Sequence, residues 1–213
     1  MKRKEFKQMF LSWNKLLTEG VYDGEDRIKE MISALYFHNK SDDNKIKVRV
    51  DFSNENSLRT INVSFLNMES DYYSSNSIVF ECLDVYEDQL SISPCGKKIW
   101  HVQNVNPVND SWGPLLYETG IEVVSLMRGG IVVPGRERVS NAARNVWLKY
   151  LDRANKESNL SAIQIDFDKD SNEYSTGEWE RNFDTETGLT MGYYKKEDKI
   201  LSALKELDLI EFI

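Results

Sequence analysis

The chain is poor in the residues on which small secreted and zinc-binding domains depend. Its 213 residues include only two cysteines, Cys82 and Cys95, and two histidines. Neither cysteine belongs to a CxxC pair or has a histidine nearby in sequence, so we expect neither a zinc site nor a disulfide framework. A reducing compartment is the default expectation for such a chain.

Long apolar runs and an excess of basic residues are also lacking. No stretch approaches the roughly 18 apolar residues that a membrane-spanning helix needs. The charged start, MKRKEFKQMF, is followed by no apolar core of a signal peptide. The net charge of −8 argues against nucleic acid or an anionic membrane as the partner. We therefore expect a cytoplasmic protein that binds neither.

Much of the negative charge lies in one segment, residues 161–190, which holds eight carboxylates against two cations. Its DFDKDS stretch places three aspartates as in the first half of a calcium-binding EF-hand loop. The sixth position is Ser171 instead of glycine, and the twelfth is Gly177 instead of the bidentate glutamate. We expect no metal, and interpret the segment as a solvated loop or a contact surface for a basic partner.

What the chain does have is a hydrophobic content of 40%, enough for a full core. Residues 1–40 carry two helical apolar faces. The first face is aromatic and consists of Phe6, Phe10, Trp13 and Leu17. The second lies within residues 25–37. The aromatic face is a candidate partner surface as well as a core element.

Residues 45–167 change from alternating to helical periodicity. Strict alternation over 46–52 and again over 59–65 predicts a β-hairpin with one buried face. The remaining predictions are strands over 77–85 and 98–105, a helix over 114–127, a strand at GGIVVP, a helix starting near Ser140 and a strand at SAIQIDF. Residues 168–213 are expected to form the acidic loop, a helix and an apolar tail.

This order of elements predicts an α/β protein of the α+β type. Antiparallel strands come first and a single βαβ crossover follows, which favours a mixed, largely antiparallel sheet with helices on both faces. We expect residues 1–213 to form one domain.

The stretch WHVQNVNPVNDSWGPLLYETGIEVVSLMRGGIVVPGRERVSNAARNVWLKYLDR, a quarter of the chain, resembles the GNAT N-acetyltransferase superfamily. Its SWGPLLY turn and the following VSxxAxxVWxxY helix are similar to GNAT-like proteins of tailed bacteriophages. The resemblance implies that acetyl-CoA binds where a central strand splays from its neighbour and at the start of the next helix. The corresponding positions here are Val102, Val105, Ser111, Trp112, Gly113 and Pro114.

Several positions depart from the pattern of that family. Asp110 stands where the family uses a cation or an amide, and Ser111 replaces a glycine that lets the pyrophosphate approach the backbone. The family's proton-donating tyrosine corresponds to Trp147, so Tyr150, one turn further, is the candidate general acid. The base is expected to be His101 or Glu81. The residues from Arg128 to Arg138 are either a cationic rim for the 3′-phosphate of CoA or solvated.

Two functions follow from the resemblance. The first is acetyl transfer from acetyl-CoA to an unknown amine by a phage-encoded enzyme in the host cytoplasm. The alternative is a catalytically inactive GNAT-like phage protein that is virion-associated or contacts a host protein. Its contact surface would be the N-terminal aromatic helix or segment 161–190. Leu17 to Glu19 resemble the Leu-x-Glu signal at which some tailed phages cleave packaged proteins, which favours the alternative.

Overall fold

A computed structural model gives the architecture of the protein. It describes residues 24–41, 45–55, 58–68, 73–82, 98–106, 112–135, 141–168, 173–175 and 190–213. The predicted N-terminal aromatic helix and most of the acidic segment lie outside these residues.

Four helices and ten strands are described. The helices are α1 (Gly24–Ser41), α2 (Gly113–Glu122, continued by a π-helical turn, Val123–Met127), α3 (Asn141–Ala154) and α4 (Lys199–Glu206). The strands are β1 (Ile46–Glu55), β2 (Leu58–Asn67), β3 (Tyr73–Cys82), β4 (Lys98–Val105), β5 (Gly130–Val133), β6 (Leu160–Gln164), β7 (Asp166–Asp168), β8 (Glu173–Ser175), β9 (Met191–Lys195) and β10 (Ile210–Phe212).

Eight of the strands form one mixed sheet in the order β10-β1-β2-β3-β4-β5-β9-β6, and β7 pairs with β8 in a separate ribbon. Neighbours are antiparallel except at β4 with β5 and at β1 with β10. The predicted α/β class with a largely antiparallel sheet is therefore confirmed. The parallel pair β4 and β5 is joined through α2, so the predicted βαβ crossover is also present.

The alternating residues of the hairpin place one row of side chains in the core. Val48, Val50, Ile61 and Val63 are fully buried and pack in one cluster with side chains from all four helices. The described helices therefore cover the same face of the sheet, which we call the helix side. We expected helices on both faces of the sheet. Within the described residues, helices lie on the helix side only.

Strand β4 contains a β-bulge that bears on the site. Phe80 pairs with Val102 and Val79 pairs with Asn104, so Gln103 is an extra residue on β4. Because a bulge moves one residue out of the alternation, it changes the direction of the side chains that follow. Val105 beyond the bulge is 40% exposed, whereas Val102 before it is buried.

Two strands of the eight-stranded sheet were absent from the predictions. Strand β9 lies between β5 and β6, where no strand was expected, and Tyr193 at its centre pairs with Val132. The apolar tail at the C-terminus forms β10, which pairs in parallel with Val48 to Val50 of β1. Both pairings join segments that are distant in sequence, so local periodicity carried no sign of them.

Candidate functional site

The two candidate bases contact each other. Glu81 on β3 and His101 on β4 are cross-strand partners, and His101 Nε2 lies 3.1 Å from Glu81 Oε2. Trp100 and Val102 point to the helix side, so alternation places His101 on the opposite face of the sheet. The His101 side chain is 24% exposed and that of Glu81 is 12% exposed. A partly exposed histidine held by a carboxylate has the arrangement of a general base.

The start of α2 offers little to a pyrophosphate. Pro114 has no N–H, and the amides of Leu115 and Leu116 both donate to the carbonyl of Trp112. A phosphate site at a helix N-terminus needs unpaired amides in the first turn. Of the amides that a helix start normally leaves unpaired, one is therefore missing at Pro114 and another, that of Leu115, is already bonded. Ser111 lies outside the described residues.

Trp112, immediately before the helix, packs against the protein. Its ring meets that of Phe65 on β2 edge to face, with the ring centres 5.8 Å apart. The contact holds the chain that enters α2 against the sheet. This use of Trp112 is a packing role and involves no ligand.

The gap expected between β4 and the chain after β5 is closed near Val102. A Cβ atom on Gly135 would stand 2.5 Å from the carbonyl oxygen of Val102, so the two backbones are in close contact there. Only glycine permits this approach. The two chains are therefore still in contact beside Val102, one of the positions where the resemblance implies a cofactor.

The candidate general acid lies within an aromatic cluster formed by Tyr117, Trp147, Tyr150 and Tyr193. Tyr150 is completely buried, and its ring is 5.5 Å from that of Trp147 and 5.8 Å from that of Tyr193. Burial raises the pKa of Tyr117 to about 12 and raises that of Tyr193 further. A proton donor must reach its substrate, and the full burial of Tyr150 disfavours that role. The structure does not bring Tyr150 to His101 and Glu81.

Arg128 and Gly113 lie at opposite ends of the helical segment that contains α2. Arg128 follows the C-terminal end of the helical segment that begins at Gly113, about 20 Å along the helix axis. The next strand starts at Gly130, which pairs with Lys98 at the beginning of β4. Arg128 itself covers the ring of Phe52 at 4.3 Å. Within the described residues, the cationic rim therefore does not meet the start of α2.

A buried ion cluster was missed by the sequence analysis. Glu118 on α2 binds Arg153 on α3 and, at 2.8 Å, the ammonium group of Lys195 on β9. Arg153 also binds both carboxylate oxygens of Glu157. Burial would raise the pKa of Glu118, but Lys195 and Arg153 hold it below its usual range. The signal was available, because Glu118 and Glu122 are charged residues within a largely apolar helical segment.

Glu122, one turn further along α2, has a different partner. Its carboxylate accepts hydrogen bonds from the backbone amides of Ile200 and Leu201 at the start of α4. Burial raises the pKa of Glu122 to about 7, against the lowering effect of the two amides and of Lys195. The two glutamates are therefore shifted in opposite directions.

Comparisons with protein-family models, with curated proteins and with solved structures found no match. The GNAT resemblance stays a prediction that depends on the residues quoted above. Among the described residues, no group of three or more His, Cys, Asp or Glu side chains is placed to hold a metal ion. No helix in the described ranges is long and apolar enough to cross a membrane.

Proposed function

We propose that this chain is a GNAT-like phage protein that works through contact with another protein, as a virion-associated or host-interaction component, without acyl-CoA chemistry. The observation that carries the proposal is the start of α2. Pro114 lacks an amide and that of Leu115 is already bonded, so this turn offers a pyrophosphate fewer donors than a helix start usually does.

Two further observations support the proposal. Gly135, just after β5, is in close contact with the carbonyl of Val102 on β4. Tyr150, the candidate proton donor, is enclosed by aromatic rings. Both observations favour the contact role over acetyl-CoA binding in the manner that the resemblance implies.

Thermal denaturation with and without millimolar CoA and acetyl-CoA tests the absence of a cofactor site. A ligand that binds only the folded state raises its melting temperature by mass action. We expect the same melting temperature in all three samples. A saturable rise with either compound would contradict the proposal.

Mass spectrometry of purified phage particles tests the contact role. We expect either peptides of this chain in the particles or a specific host protein that is captured by the full chain. Absence from the particles together with no captured partner would overturn the proposal. Peptides that begin directly after Glu19 would support processing at the Leu-x-Glu sequence.

The second candidate function, acetyl transfer to an amine, is favoured by the pairing of His101 with Glu81. Glu81 orients the imidazole, which then accepts a proton from the amine acceptor. This function requires activity with acetyl-CoA that falls by about 100-fold or more in His101→Gln. A wild-type protein with no activity toward peptide and polyamine acceptors excludes it.

A further inference from the structure

Helix α4 is capped by a side chain that is distant in sequence. The amide of Ile200 donates to both oxygens of Glu122, at 3.1 and 3.0 Å, and the amide of Leu201 donates to Oε2 at 2.9 Å. Asp198, at the usual capping position of α4, makes no capping hydrogen bond. Glu122 of α2 thus accepts hydrogen bonds from two of the amides that a helix start leaves unpaired.

The segment that begins with this helix ends in the edge strand β10. Leu201 and Leu204 of α4 are buried in the core, and β10 pairs with Val48 to Val50 of β1. The amide of Phe52 also donates to the carbonyl of Ile213, and an ion pair between Lys47 and Asp208 joins β1 to the same segment. Residues 199–213, which we call the C-terminal unit, are therefore held by core packing, by pairing with β1 and by the hydrogen bonds to Glu122.

The charged groups around Glu122 leave it without a direct cationic partner among the described residues. Lys195 on β9 is within electrostatic range, but its ammonium group forms its ion pair with Glu118. Arg153 on α3 is likewise bound to Glu118. On α4, Lys199 is directed to Glu25 of α1 and to Glu197. An ionised Glu122 is thus stabilised mainly by backbone amides.

We propose that Glu122 is a pH-sensitive latch that holds the C-terminal unit more firmly below neutral pH than above it. The pKa of Glu122 is about 7 in the docked state, because of burial, and returns to an ordinary value near 4.5 when the unit opens and water reaches the carboxyl. Between these values the docked state binds a proton that the open state does not. Falling pH therefore favours docking, and rising pH through 7 weakens it. A protonated carboxyl still has one oxygen that accepts an amide of α4.

Hydrogen exchange measured by mass spectrometry tests the latch in the full chain. Rates are corrected for the intrinsic pH dependence of amide exchange. Between pH 6 and pH 8 we expect protection of peptides from residues 199–213 to fall by about tenfold. The docked state loses its bound proton over this range, whereas the open state has already lost it. Peptides from α1 should show a smaller change.

The variant Glu122→Gln removes the titrating group, so its protection should no longer fall over this pH range. Glu206→Gln, at an exposed position of α4, is the control and should behave as the wild type does. Equal wild-type protection at both pH values, or an unchanged fall in Glu122→Gln, would overturn the proposal. If Glu122→Gln does not fold, the wild type alone decides the question. Between pH 6 and pH 8, protection must then fall more in residues 199–213 than in α1.

Discussion

The buried ion cluster on the helix side and the His101–Glu81 pair on the opposite face differ in their access to water. The side chains of Glu118 and Lys195 are fully buried, whereas that of His101 is 24% exposed. Each charge of the buried cluster has partners on another element, which such burial requires. The paired histidine is the more accessible of the two sites, and the buried cluster has the features of a structural one.

The largest expected effect of a substitution is at Glu118. Glu118→Gln leaves Lys195 and Arg153 buried without their shared counter-charge, which should lower the free energy of unfolding by about 3–5 kcal/mol. Urea denaturation measures the loss. Glu30→Gln, at an exposed position of α1, is the control. A change below about 1 kcal/mol would show that the cluster is not the structural site of the comparison.

The pH dependence of this effect has a definite sign. The pKa of Glu118 is lowered on folding, so its contribution to stability is present above the unfolded pKa and is lost as pH falls through the lowered value. The difference between wild type and Glu118→Gln should therefore shrink on acidification. Glu122, whose pKa is raised, contributes with the opposite sign.

An intermediate effect is expected at the aromatic cluster on the helix side. Tyr193 donates a hydrogen bond to the carbonyl of Trp147 at 3.1 Å in a fully buried setting. Tyr193→Phe keeps the ring and removes this bond, which should cost about 1 kcal/mol in urea denaturation. The neighbouring Tyr194→Phe, a half-buried tyrosine on the opposite face, should cost less. Equal losses of unfolding free energy in the two variants would show that the helix side and the opposite face do not differ in this respect.

The smallest effect on stability is expected at the histidine pair. His101→Gln should change the free energy of unfolding by no more than about 0.5 kcal/mol, because polar contacts between partly exposed side chains contribute little. Urea denaturation at pH 7 provides the measurement. A loss as large as that of Glu118→Gln would make the pair structural and would weaken the second candidate function.

Sequence reasoning predicted much of the fold and only part of the site. The hairpin β1–β2 and the crossover through α2 followed from periodicity, which is a local property of the chain. His101 and Glu81 were proposed as alternative bases, and their contact became visible only through the register of β3 with β4. The contact of Tyr150 with Tyr193 was not predicted, because Tyr193 lies on a strand that the pattern did not reveal.

By itself, the sequence determined the class of the fold, the positions of most helices and strands, and the departures from a phosphate-binding turn. These depend on side-chain period and on residue type, as with the missing amide of Pro114. Tertiary structure alone decided that Gly135 closes on Val102, that Glu118 joins α3 and β9, and that Glu122 caps α4. Each of these contacts joins residues that are far apart in the chain, and local patterns contain no information about such pairing.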